Sequence, residues 1–98
     1  MAVVVITTTA AEDLERLIRT HSLPPTTRDR LKRSIGPLGA FPHLGAPLVG
    51  RWSEFRFVLG PWRWMIVVYV FDEEADRVAI VTIQDARSAR AATSSSPG

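Results

Sequence analysis

The stretch from Glu54 to Asp85, EFRFVLGPWRWMIVVYVFDEEADRVAIVTIQD, decides the fold. Phe55, Phe57 and Leu59 alternate with Glu54, Arg56 and Val58, the period of two that marks a half-buried strand. Gly60-Pro61 turns the chain, because proline has no amide with which to continue a ladder. Trp62 to Phe71 is apolar on both faces apart from Arg63, the pattern of a central strand. Asp72 to Asp76 supplies a polar hairpin turn, and Val78 to Ile83 reads as the closing strand. Gln84 to Ala92 carries Arg87 and Arg90 out of the sheet.

Toward the N-terminus the period lengthens. Val3 to Thr7 is a β-branched run and reads as a first strand. Thr9-x-x-Glu12 has the form of a capping box, opening a helix that reaches about His21 and places Leu14, Leu17 and Ile18 on one face. Ser22-Leu-Pro-Pro25 stops it, since each proline removes a donor and pushes the preceding residue out of the helical region. Thr26 or Thr27 caps a second helix carrying Leu31, Ile35 and Leu38. Phe41 to Gly50, rich in proline and glycine, is a connecting loop. The expected order is β-α-α-β-β-β, an α+β fold with a helical hairpin packed on a small, mainly antiparallel four-stranded sheet. Residues 1–90 form one domain, and residues 91–98, AATSSSPG, are expected to be a flexible C-terminal tail.

Composition narrows the function. Ninety-eight residues, 46% of them apolar, make one core, and the absence of cysteine removes thiolate catalysis, cysteine zinc sites and redox switching. No basic region precedes the short apolar run at Val3, and no apolar run approaches the ~20 residues of a membrane helix, so a cytoplasmic location without membrane contact is expected. Neither His21 nor His43 has a second histidine or a cysteine at ligand spacing, and Asp72 to Asp76 lacks the calcium-loop glycine. No metal site is expected. No glycine-rich phosphate loop occurs either, and no cofactor is implied. Net charge is only +2, yet eleven of the twelve basic residues are arginine. Arg28, Arg30, Lys32 and Arg33 cluster around the single carboxylate Asp29, either as a solvated helix face or as a docking surface for a polyanion. From Arg51 onward there are six arginines, and four of the six carboxylates sit together between Asp72 and Asp76. Trp62 and Trp64 share a predicted strand face with Ile66 and Val68, which suits a core, whereas Trp52 beside Arg51 is expected to be exposed and able to stack on a base.

Taken together, Gly45-Ala-Pro-Leu48-Val-Gly50, the strand bearing Arg56, then Gly60-Pro-Trp62-Arg63, an apolar strand, the acidic turn at Asp72-Glu73, Val81-Thr-Ile83 and Arg87 resemble the RelE/ParE superfamily of bacterial type II toxins. The likeness runs from about Val3 to Arg90. It implies a toxin with a cognate antitoxin as partner and one of two activities. RelE-like members are metal-independent ribonucleases that cut mRNA on the ribosome. ParE-like members inhibit DNA gyrase by contact, and an inactive member would only bind its antitoxin.

For the ribonuclease, the 2′-hydroxyl attacks its own phosphate, so charge must be stabilised and protons moved. Guanidinium groups suit the first task, and the resemblance puts it on Arg56, Arg63 and Arg87, which the sheet is expected to gather. Arg28, Arg30, Lys32, Arg33, Arg51, Trp52 and Arg90 are the candidates for nucleic-acid or ribosome binding. In the gyrase alternative the Arg28 to Arg33 face does the docking. Where ribonuclease members carry a tyrosine near the C-terminus this chain has Thr93, and its lone tyrosine, Tyr69, reads as a sheet residue. His21 ends a helix, where its cation suits the dipole.

Overall fold

The computed structural model describes residues 1–87. Arg90 and the expected tail at 91–98 lie outside these described residues. The elements follow in the order β1 (Val3–Ile6), α1 (Thr8–Thr20), α2 (Thr27–Ile35), β2 (Ala46–Pro47), β3 (Phe55–Leu59), β4 (Met65–Asp72) and β5 (Arg77–Asp85). They build one sheet ordered β1-β5-β4-β3-β2, in which β1 runs parallel to β5 and every other pair is antiparallel. Both helices cover one face. The expected α+β architecture is present with a fifth strand, because Ala46–Pro47 in the presumed loop pairs with Phe57 and Arg56. Proline is tolerated there since β2 is the sheet edge. No helix among the described residues is long and apolar enough to cross a membrane.

Thr7 joins strand to helix. Its hydroxyl donates to the Ile80 carbonyl at 2.7 Å and accepts from the Ala10 amide at 3.2 Å, so one side chain fixes β5 and caps α1. The expected cap at Thr9 with Glu12 is therefore two residues late, because pairing with β5 keeps the backbone extended only as far as Thr7 (φ −68°, ψ 160°). At α2 neither threonine acts as a side-chain cap. Thr26 makes no capping bond, and buried Thr27 donates to the Pro24 carbonyl at 2.6 Å.

The core gathers Leu14 and Leu17 of α1, Leu31 and Ile35 of α2, Leu38, and Met65, Val67, Tyr69, Val78, Ile80 and Ile83 of the sheet. Residues directly opposite across a ladder share a face, and the register sets Arg56 against Tyr69 and Val58 against Val67. The expected inward set of β3 is thereby reversed. Arg56 and Val58 point to the helix side, while Phe55 and Phe57 join Val68 and Val70 on the uncovered face. That face carries a shallow apolar groove of about 410 Å³ lined by Leu48, Trp52, Phe55, Ile66, Val68 and Val81 among others.

One buried carboxylate was not foreseen. Asp13 on the inner face of α1 accepts from the Thr82 hydroxyl at 2.6 Å, from the Ile83 amide at 3.2 Å and from Arg16 at 2.7 Å. It pairs the part of β5 that runs beyond the end of β1, where β5 would otherwise leave an amide bare. Burial pushes its carboxyl up, but the Thr82, Ile83 and Arg16 donors outweigh that and hold it below its ordinary value. A depressed folded-state pKa means stability that is complete above about pH 4, the unfolded range, and lost as pH falls through the folded value. Asp13→Ala is expected to cost about 1 to 3 kcal/mol at pH 7 by orphaning the Ile83 amide. In urea melts the gap between wild type and variant should narrow at pH 3; a gap independent of pH would show that the carboxylate is not what holds β5.

Candidate functional site

At one end of the molecule four elements converge. The β3–β4 turn is closed by the Gly60 amide donating to the Met65 carbonyl at 2.8 Å and the Met65 amide donating to the Trp62 carbonyl at 3.0 Å. Trp62, Arg63 and Trp64 therefore lie in the turn, and the expected ten-residue central strand is corrected to Met65–Asp72. The cause is local. Pro61 cannot donate, so the ladder ends at Leu59 and resumes at Met65. The two indoles, freed from strand alternation, stack with centroids 6.3 Å apart instead of sharing a strand face with Ile66 and Val68.

Cations flank this pair. The Arg30 guanidinium carbon of α2 sits 4.6 Å from the Trp62 ring centre, and that of Arg87 sits 5.2 Å from Trp64. Arg87 reaches Trp64 because the Ala86 amide donates to the Trp64 carbonyl at 2.6 Å, tying the end of β5 to the turn. Asp85 orients Arg87, accepting its Nε at 3.2 Å, its Nη2 at 3.2 Å and its backbone amide at 2.8 Å. The same carboxylate meets His21 Nε2 at 3.1 Å, and the imidazole packs on Trp64 at 4.5 Å. The Arg87 donors hold the Asp85 carboxyl below its ordinary value against the opposing pull of burial, with the nearby His21 adding in the same sense. The site thus contains an ionised carboxylate gripping one guanidinium and one imidazole, with the exposed Arg63 on the adjoining turn.

The other sequence-derived candidates scatter. Arg56 is not gathered with Arg63 and Arg87: it pairs with Tyr69, whereas Asp85 pairs with Met65. That offset is ~13 Å along β4 at ~3.3 Å per residue, on the opposite flank of the strand. The Arg56 guanidinium donates to the carbonyls of Gly45 at 2.7 Å and His43 at 3.3 Å, so it holds the 42–45 loop. Tyr69 is wholly buried and holds the same loop, its hydroxyl donating to the Pro42 carbonyl and accepting from the Gly45 amide, both at 2.8 Å. Arg28 is bound to Glu15 of α1. Lys32 borders a shallow pocket with Val4 and Ile35, and Arg33 is exposed. Trp52 is 53% exposed beside the groove, with the Arg51 guanidinium carbon 5.3 Å from its ring. His43 packs edge-on against Phe71 at 5.5 Å. No group of three or more histidine, aspartate or glutamate side chains among the described residues could hold a metal ion.

His21 and Asp85 are the members that the sequence did not unite. The helix-ending position of His21 is legible, but its carboxylate partner stands at the far end of β5.

The chain is similar to a chain of the RelBE2 toxin–antitoxin complex of Mycobacterium tuberculosis, at 26% identity and a TM-score of 0.63, covering 86% of this chain and 96% of that one. It is similar to a metal-bound toxin from Helicobacter pylori at 17% identity and a TM-score of 0.68, covering 90% and 98%. It is also similar to Escherichia coli toxin RelE in complex with an antitoxin RelBc peptide, at 14% identity and a TM-score of 0.69, covering 98% and 95%. No family model and no curated protein matches the sequence. The RelE-type recognition and the α+β fold class read from the sequence are borne out by these structures.

Proposed function

We propose that this chain, folded as a toxin of the RelE superfamily, is the toxin of a type II toxin–antitoxin pair and cuts mRNA on the ribosome. One observation carries the reading. Arg87, fixed by Asp85, is laid on Trp64, the residue that follows the exposed Arg63 in the β3–β4 turn. Guanidiniums at this tip match a phosphodiester whose negative charge grows as the 2′-hydroxyl attacks. Arg56, occupied by the 42–45 loop, shapes the fold around that chemistry. The apolar groove on the uncovered sheet face is assigned to the antitoxin, in keeping with the toxin–antitoxin complexes that the chain is similar to.

Inhibition of DNA gyrase through α2 is the alternative. It is less well supplied, since Arg28 is engaged by Glu15 and Arg30 by Trp62. The test is primer extension on a reporter mRNA in a translating bacterial extract, with wild type and Arg63→Ala side by side. Ribosome-dependent cuts within codons are expected from wild type, weakened about 100-fold in the variant, the usual worth of one donor to a developing oxyanion. Intact mRNA with folded wild-type protein would move the assignment to gyrase contact or to antitoxin binding alone.

A further inference from the structure

We infer that His21 is the proton-transfer residue of this site, with Asp85 as the group that positions it. The inference rests on the ribonuclease reading above and adds the base which that reading leaves unassigned.

The geometry has three parts. First, His21 Nε2 lies 3.1 Å from Asp85 Oδ2, a charge contact rather than an aligned hydrogen bond, and the negative carboxylate there favours the proton on Nε2 over Nδ1. Nδ1 then carries the lone pair, on the nitrogen that Asp85 does not engage. Second, Trp64 lies against the imidazole at 4.5 Å with the two planes tilted by 37°, so the ring is held by an aromatic contact as well as by a charge. A histidine that merely closed a helix would need neither. Third, the same Asp85 holds Arg87, so base and phosphate-binding cation are set by one carboxylate. A quarter of the His21 side chain is exposed, against 10% of Asp85 and 64% of Arg87. The exposures grade outward from a mostly covered anchor to reachable working groups, as a site approached from solvent requires.

The step balances without metal or redox partner. His21 Nδ1 takes the proton of the ribose 2′-hydroxyl, O2′ bonds to the adjacent phosphorus, and the P–O5′ bond breaks with its electron pair on O5′. Water protonates O5′, and the hydroxide so formed takes the proton back from the imidazolium. The products are a 2′,3′-cyclic phosphate and a free 5′-hydroxyl, while Arg87 and Arg63 bear the charge gathering on the phosphate oxygens.

The test uses the same translating extract with wild type, His21→Ala and His21→Gln, the glutamine keeping a donor for Asp85 but no basic nitrogen. Both variants should melt cooperatively near the wild-type temperature and cut at least about 100-fold more slowly. Added imidazole should restore part of the rate to His21→Ala and none to His21→Gln, where the cavity is filled. A purely structural role would not respond to imidazole. Wild-type rates in both variants would overturn the role of His21 while leaving the ribonuclease reading intact. Uncut mRNA with wild type would overturn the reading itself and this inference with it. Cut ends bearing a 3′-phosphate formed with no cyclic precursor, or cleavage of mRNA whose scissile ribose lacks the 2′-hydroxyl, would overturn the proposed step alone.

Discussion

Leu31→Asp is expected to leave the chain unfolded at 25 °C, with no cooperative thermal transition by far-ultraviolet circular dichroism. Leu31 is completely buried in α2 between the helix layer and the sheet, in one cluster with Ile35, Leu38 and Ile80. Removing a buried leucine costs about 2 to 5 kcal/mol from lost burial and the cavity left behind. The incoming carboxylate finds no donor in that apolar cluster, so it either stays charged at several kcal/mol more or is protonated against its ordinary pKa. A domain of this size holds ~5 to 15 kcal/mol in all. The two costs together match that reserve. Lys32→Asp, one residue on and exposed, should change stability by no more than ~0.5 kcal/mol, which separates the burial effect from helix propensity. Leu17→Asp should be milder than Leu31→Asp, because Leu17 keeps 8% of its surface in water. A cooperative melt in Leu31→Asp would mean that α2 does not press this face on the sheet.

Leu31 was legible in the sequence because its spacing to Ile35 and Leu38 is a local signal, and burial of a helix stripe needs no knowledge of what lies beneath. The same holds for the helix stop at Pro24-Pro25 and for the acidic turn before β5. The errors have different causes. Which face of β3 is inward cannot be read from alternation alone, since Phe55 and Phe57 against Arg56 and Val58 looks like apolar inside and polar outside. The register with β4 reverses it, and Arg56 is accommodated on the helix side because loop carbonyls receive its guanidinium. Likewise Trp62 to Trp64 carry strand-like residues, but the missing amide of Pro61 delays β4 to Met65. Asp13 and Asp85 escaped altogether. Each is partnered from another element, Asp13 by β5 and Asp85 by the end of α1, and only the parallel placement of β1 beside β5 brings those elements together.

Gly45→Ala should lower stability by about 3 kcal/mol, or roughly 15 °C in melting temperature for a domain of this size. The constraint is space. A Cβ at Gly45 would stand 2.6 Å from the Phe57 carbonyl oxygen and 2.8 Å from both Cε1 and the hydroxyl oxygen of Tyr69. Neither neighbour can retreat cheaply: the carbonyl belongs to β3 where it pairs with β2, and Tyr69 is wholly buried on the central strand. Relief by moving the loop is also costly, because the Gly45 amide and the Pro42 carbonyl are the two partners of the Tyr69 hydroxyl, and the Gly45 carbonyl receives Arg56. Pulling the loop away would orphan a buried hydroxyl at about 1 to 3 kcal/mol and loosen β2, whose neighbour Leu48 lines the apolar groove. A double-mutant cycle separates the two clashes. Tyr69→Phe alone removes the hydroxyl and should cost about 1 to 2 kcal/mol through the unpaired Gly45 amide. In Gly45→Ala with Tyr69→Phe the hydroxyl contact is gone but the 2.6 Å approach to the Phe57 carbonyl remains, so the loss should be less than additive and still exceed that of Tyr69→Phe. Full additivity would mean that the Tyr69 hydroxyl does not feel the new methyl, and that the clash lies with the Phe57 carbonyl and the ring edge alone.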